Sequence, residues 1–200
     1  MPVTGAHAPG ATPLTQGDVE GLKIRSVTTH GELNEAEANN IIKGQQWALR
    51  SRLVRLPQML SDEFMQRLHR EMFGDVWKWA GAYRERDTNI GVEHRLIRQE
   101  LRRAYDDARG WLEFATYPPE EFAVRLHYRI VTVHPFRNGN GRHARMVADL
   151  VLLRHFKTDA LPWGGSIPRH ADATRQAYIA ALKAADHHDL APLLAFARSN

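Results

Sequence analysis

No cysteine occurs among the 200 residues. That excludes a disulfide framework, a thiol nucleophile and a cysteine-ligated metal. It fits a reducing cytosol, and a cytoplasmic protein is expected. No apolar run reaches the ~20 residues that span a bilayer, so no membrane partner is expected. The opening residues also lack the basic start and apolar core of a secretory signal. Charge of one sign is scarce: 27 Lys and Arg against 23 Asp and Glu leave a formal +4, spread along the chain. Such a balance permits contact with nucleic acid without requiring it, and nucleic acid is not the expected partner. Paired metal-ligand spacings are missing too. Eleven histidines include His127 and His134, seven apart, and the run His187-His188-Asp189. None makes a His-x₃-His pair, so a zinc site is not expected.

What remains suits a folded domain. Hydrophobic content is 43% and charged content 25%, enough apolar material for one real core. Residues 1–17 are rich in Pro, Gly, Ala and Thr and read as a flexible arm. Residues 18–59 read as an N-terminal helical segment and 60–200 as one domain. Helical periodicity predicts helices over 34–52, 62–73, 95–115, 119–133, 141–156, 171–185 and 189–198, which makes the fold class all-α. Phe122, Leu126, Ile130 and Val133 repeat at helical spacing, and Pro118-Pro119 marks where that helix starts. The run 146–153 is apolar nearly all round and should be central and buried. Trp77 and Trp79 read as core or hairpin-packing residues rather than platforms for stacked bases.

The chemistry concentrates in His134-Pro135-Phe136-Arg137-Asn138-Gly139-Asn140-Gly141-Arg142-His143-Ala144-Arg145. Gly139 and Gly141 flank Asn140, and glycine lets the backbone approach a ligand closely. Successive amides in such a turn converge into an anion-binding nest. The helix that follows adds unpaired N–H groups and a partial positive charge. Arg142 and Arg145 emerge on one face of its first turns, where two guanidinium forks suit the oxygens of a polyphosphate. A helix start disfavours cations, and a bound anion would offset that cost. His134 stands just upstream. Imidazole accepts a proton near neutral pH without prior activation. Phe136 reads as an apolar anchor for the loop.

This string resembles the signature of the Fic family, His-x-Phe-x-Asp/Glu-Gly-Asn-Gly-Arg-x-x-Arg, at every fixed position but Asn138, where the family usually has an acid. Trp77-Lys78-Trp79-Ala80-Gly81-Ala82-Tyr83-Arg84 and Asn89-Ile90-Gly91-Val92 resemble the lead into the family's flap, and the whole chain, with Glu32-Leu33-Asn34-Glu35 near the start, is similar to the subfamily catalogued as mobile mystery protein B. The resemblance implies a Fic-type helical domain with a small β-hairpin flap, in a bacterial cytoplasmic protein adenylyltransferase. ATP and Mg²⁺ would be required, and AMP would go to a Ser, Thr or Tyr hydroxyl of a target protein. His134 would be the general base. Gly139, Asn140 and Gly141 would form the anion hole, Arg142 would bind the β/γ-phosphates, and Arg145 the γ-phosphate. Asn138 would be a weak Mg²⁺ ligand, offering a neutral oxygen in place of a carboxylate. Asn89, Ile90 and Gly91 would lie in the flap that pins the target by strand pairing. Gly141 and Arg145 separate the chain from the related Doc-type kinases. The subfamily's name implies a helix-turn-helix partner protein.

Many Fic enzymes are restrained by a helix bearing Ser/Thr-x-x-x-Glu-Gly/Asn, whose glutamate pairs with the second motif arginine. Glu37-Ala38-Asn39 is the nearest match, and Glu37 the inhibitory candidate, although Leu33 and Ala38 break the pattern. A pair with Arg145 is the expectation from this resemblance; a solvated acidic helix start is the plainer reading. Two further readings stand beside AMP transfer. One is a relative using another donor. The other, kept open by Asn138, is a Fic fold that binds a nucleotide or acts as a toxin-like regulator with weak or no activity.

Overall fold

Thr29 and Glu32 start the first helix of the described residues. The Thr29 hydroxyl accepts from the Glu32 amide, and the Glu32 carboxylate accepts from the amides of Thr28 and Thr29. This capping box opens α1 (His30–Arg50) four residues ahead of the expected position 34. The computed structural model describes residues 20–24, 26–51, 55–165 and 171–200. The arm expected over 1–17 lies outside them.

A single turn, α2 (Leu56–Met59), precedes α3 (Asp62–Phe73), which Ser61 caps by accepting from Phe64 N–H. A 3₁₀ turn over His94–Leu96 leads into α4 (Ile97–Glu113), followed by α5 (Pro119–Val133) and α6 (Asn140–Val151). α7 (Ala171–Asp186) and α8 (Ala191–Arg198) complete the order. The fold is mostly helical, as expected. The helix expected over 141–156 ends as α-helix at Val151 and runs on as a π turn over Leu152–Phe156. Arg154 in that turn donates to the carbonyls of Leu49 and Ser51, both at 3.1 Å, and ties the end of α6 to the end of α1.

The main core joins α1, α3, α4, α5 and α6. It includes Met65, Leu68, Met72, Leu101, Phe122, Leu126, Phe136 and Val147, each at most 1% exposed. A second cluster, with Val124, Ala148, Leu152, Trp163, Leu193 and Phe196, packs α7 and α8 onto the back of α5 and α6. The run after Arg145 is central, as its composition demands. Trp77 and Trp79 are buried and stacked on each other.

α1 lies along α3. Leu33, Glu37, Asn40, Gly44 and Ala48 repeat at helical spacing, and all five are buried. Glycine at 44 permits close approach: a β-carbon there would meet the Met72 backbone at 2.8 Å. The Asn40 carboxamide donates to the Glu71 carbonyl and accepts from the Asp75 amide. No described helix is long and apolar enough to cross a membrane.

The β-hairpin expected of the flap does not form. Among the described residues strand pairing takes the form of isolated bridges, Leu22–Trp77 and Tyr83–Phe136 among them. Residues 85–93 run as an irregular loop because side chains take the backbone groups a ladder would use. Asp87 accepts from His94 N–H at 2.7 Å, and Thr88 donates to the Ile90 carbonyl at 2.6 Å. Arg84 takes the carbonyls of Arg86 and Val92.

Candidate active site

α5 stops at His134, which adopts a left-handed backbone with φ 53° and ψ 57°. The chain turns there by necessity, since Pro135 cannot continue the helix. The following loop closes on itself through Asn140. Its carboxamide oxygen accepts from Phe136 N–H at 2.9 Å, and its amide donates to the Phe136 carbonyl at 2.8 Å. The Asn140 side chain thus brackets the loop. Phe136 is fully buried, as an anchor should be.

Gly139 is the N-cap of α6 with φ 78°. A β-carbon there would meet the Phe73 ring at 2.6 Å, so both the conformation and the space require glycine. The first helical bond runs from His143 N–H to the Gly139 carbonyl. The amides before it head the helix N-terminus, where an anion is favoured. Gly141 faces the Tyr178 hydroxyl, 3.4 Å from where its β-carbon would lie.

His134 is 7% exposed, and its pKa is pulled down to about 4 by burial and by the Arg84 guanidinium. The imidazole is therefore neutral at pH 7, the state a general base needs. Arg84, itself 2% exposed, holds this corner together. Its Nε donates to the His134 carbonyl at 2.8 Å, and its Nη2 reaches the carbonyls of Val133 and Val92. A guanidinium at the C-terminal end of α5 also complements the helix dipole. One side chain thereby joins the helix that carries the imidazole to the loop beside it. Arg84 appeared in the sequence only within the flap lead; a cation surrounded by Tyr83, Gly91 and Val92 in an apolar setting was the available signal.

In the flap, Gly91 has φ 93°, and a β-carbon on it would lie 2.5 Å from the His134 β-carbon. The structure thus brings residue 91 against the imidazole-bearing residue. Ile90 beside it is 47% exposed, a large apolar side chain presented to solvent next to the site. Asn89 lies in the same irregular stretch.

The two arginines separate. Arg142 sits over the Phe73 ring, with its side chain one-third exposed, and its Nη1 meets Glu37 Oε2 at 2.7 Å. Arg145 lies one turn on, over the Tyr178 ring. Burial pulls the Arg145 pKa down, while Tyr178 and Asp149 act in the opposite direction. Glu37 therefore does face the motif, but on Arg142 rather than the expected Arg145, and the solvated reading of this helix start is overturned at Glu37, which is 4% exposed. The reason is the line of α1 along α3, which brings Glu37 to the Phe73 end of the site. Its other oxygen accepts from the Trp77 indole N–H at 2.7 Å.

Asn138 was the candidate metal ligand. Its Oδ1 accepts from Gly139 N–H at 2.6 Å, and its carbonyl accepts from His69. Among the described residues no group of three His, Asp or Glu is placed to hold a metal. A single carboxamide oxygen fits an ion carried in by substrate phosphates better than a resident one. His69, absent from the sequence reading, was legible as the one titratable residue on the buried face of α3.

The helical bundle thus sets a glycine-shaped helix start between an imidazole and two arginines. The Fic/DOC family model matches residues 59–152. Protein adenylyltransferase fic-1 of Caenorhabditis elegans is 31% identical over 173 residues, covering 80% of this chain and 31% of that protein. Uridine 5'-monophosphate transferase of Xanthomonas campestris pv. campestris is 41% identical over 63 residues, 28% of this chain and 12% of that protein. A solved structure of Fic-1 from C. elegans superposes with a TM-score of 0.64 at 26% identity, covering 90% of this chain and 56% of that one. Residues 59–152 thus form a Fic/DOC family domain. The chain spans about a third of the length of the first curated relatives it matches.

Proposed function

We propose that this chain transfers AMP from ATP to a hydroxyl side chain of a target protein. The observation that carries the reading is a neutral His134 at the end of α5, set beside the glycine-shaped, arginine-bearing start of α6. The name of the C. elegans relative, protein adenylyltransferase, supports it. In this reading His134 takes the proton from the attacking Ser, Thr or Tyr hydroxyl. The new bond forms between that oxygen and the α-phosphorus, and the bond to the β-phosphate oxygen breaks. Pyrophosphate leaves. The amides of Gly139, Asn140 and Gly141 receive phosphate oxygens, Arg142 the β/γ-phosphates and Arg145 the γ-phosphate. Asn138 would be a weak ligand for Mg²⁺, and the ion would offset the charge of the phosphates. Asn89, Ile90 and Gly91 receive the target segment.

The same reading takes residues 18–59 as a regulatory helical segment and 60–200 as the catalytic domain. Glu37 restrains the enzyme by occupying Arg142. Membership of the mobile mystery protein B subfamily, a bacterial cytoplasmic setting and a helix-turn-helix partner belong to it as well. A second donor has one observation in its favour: the relative from Xanthomonas is named for transfer of uridine 5'-monophosphate. Incubation with labelled ATP or UTP, Mg²⁺ or Mn²⁺ and a cell lysate separates the readings. Label transferred from ATP alone supports the first, label from UTP the second. No transfer with either would leave a nucleotide-binding or regulatory Fic fold.

The metal role of residue 138 has its own test. Asn138→Asp supplies a carboxylate while keeping an oxygen for the Gly139 amide. Its transfer rate should exceed the parent's at low Mg²⁺, with the gap closing as Mg²⁺ rises. Identical metal titrations would remove residue 138 from the metal's surroundings.

A further inference from the structure

His69 lies wholly within the core, yet both ring nitrogens are committed. Its Nδ1 accepts from Gly81 N–H at 3.0 Å. A nitrogen that accepts carries no proton, so in the neutral ring Nε2 bears it. That Nε2–H donates to the Asn138 carbonyl at 3.1 Å. The ring stacks on Phe136 with centroids 3.8 Å apart and leans on Phe73 at 4.7 Å. These are the two side chains that support the loop from below.

The bond to Asn138 has a geometric consequence for the next residue. The Asn138 carbonyl and the Gly139 amide belong to one peptide unit, which is planar and trans. Its C=O and N–H therefore point in opposite directions. With the carbonyl drawn inward to His69, the Gly139 N–H must face outward. It does, and the half-buried Asn138 side chain receives it through Oδ1 at 2.6 Å. A neutral oxygen stands where an anionic phosphate oxygen would be a stronger acceptor.

We propose that His69 is a positioning residue: it sets the 138–139 peptide so that the Gly139 amide is presented to phosphate, and it ties that setting to the flap lead at Gly81. The Asn138 carboxamide is the internal occupant that phosphate displaces. His69 touches no substrate. Burial, with the neighbouring His143, holds its pKa well below the usual histidine range, although the Asn138 carbonyl favours the protonated ring. The neutral tautomer therefore persists across physiological pH. The inference rests on reading residues 138–142 as a phosphate cradle.

Two near-isosteric amides separate the two contacts. His69→Gln places an amide N–H near Nε2 and can still hold the Asn138 carbonyl. His69→Asn places a carbonyl near Nδ1 and can hold only the Gly81 amide. Binding of ATP and of inorganic pyrophosphate is measured by calorimetry, beside melting temperature, KM and kcat. Both variants lose packing and should melt at similarly lowered temperatures. His69→Asn should weaken ATP and pyrophosphate by about tenfold, the scale of one hydrogen bond to a charged group, and raise KM with little change in kcat. His69→Gln should keep the parent's affinity. Equal affinity in both variants, or a loss in both that follows melting temperature, would overturn the proposal. The ring can also be read without any ligand: side-chain ¹⁵N shifts should report a neutral Nε2–H tautomer, and an Nδ1–H or doubly protonated ring would overturn it. A parent protein that binds neither ATP nor pyrophosphate would sink the phosphate-cradle reading, while the ring shifts would still decide the tautomer of His69.

Discussion

His134→Ala should lower transfer about 10²–10⁴-fold, the usual cost of losing a general base, while ATP binding stays close to the parent's. The imidazole is the proton acceptor in the proposed step, and the phosphates rest on other groups: the α6 amides and two arginines. The fold should stay intact, because Arg84 holds residue 134 through its backbone carbonyl. The pH dependence gives a second reading. Burial and Arg84 lower the His134 pKa to about 4. Neutral imidazole is the active form, so the rate should be level through neutrality and fall as pH drops through that value. An acid limb centred near the ordinary histidine value of about 6.5 would mean that the imidazole is not held as the structure shows. Equal transfer by mutant and parent with radiolabelled ATP would remove His134 from the chemistry.

Glu37→Gln should tighten ATP binding about tenfold and raise both self-modification and target modification. In the proposed reading the glutamate carboxylate and the nucleotide's phosphates compete for Arg142. Charge-assisted pairs of this kind contribute about 1.5–3 kcal/mol, and about 1.4 kcal/mol corresponds to tenfold in affinity. A site filled by an internal ligand is competent only for the fraction of time it is vacated. Glutamine retains a carbonyl oxygen for the Trp77 indole N–H, so the buried donor keeps its partner while the charge is removed. Because the pair is with Arg142, the gain should vanish in an Arg142→Ala background and persist, reduced, when Arg145 is changed instead. ATP affinity equal in Glu37→Gln and parent would show that the pair exerts no restraint, leaving control to a partner protein.

The sequence made some of this legible because the signals were local. Pro118-Pro119 and Ser61 mark the starts of α5 and α3, and both helices run where the periodicity put them. The glycine loop and His134 are contiguous, so their residues could be read in a line. α1 was placed late because its capping box begins with Thr29, outside the apolar pattern. What stayed hidden was contact between distant residues. His69 and Asn138 are 69 positions apart, and Glu37 and Trp77 are 40 apart. No spacing rule links them; they meet only after α1 and α3 pack. The hairpin failed as an expectation for a related reason. The polar groups that a ladder would use are taken by Arg84, Asp87 and Thr88, and side-chain competition of that kind is invisible to turn propensity.

The close approach at Gly44 bears on how α1 could ever let go. Glycine costs a helix interior about 1 kcal/mol relative to alanine, and here it stands near the middle of a 21-residue helix. It is tolerated because the Met72 backbone leaves no room for a β-carbon. Away from α3, that exemption ends: the helix keeps the weak residue and loses the surface that justified it. Release of Arg142 by movement of α1 away from α3 would then weaken the helix as well. The restraint would behave as a local order–disorder transition, visible as faster amide hydrogen exchange across residues 37–48 when nucleotide displaces Glu37. A bulkier side chain at position 44 would act as a wedge, prising the whole element away from the site without altering any residue that meets the nucleotide.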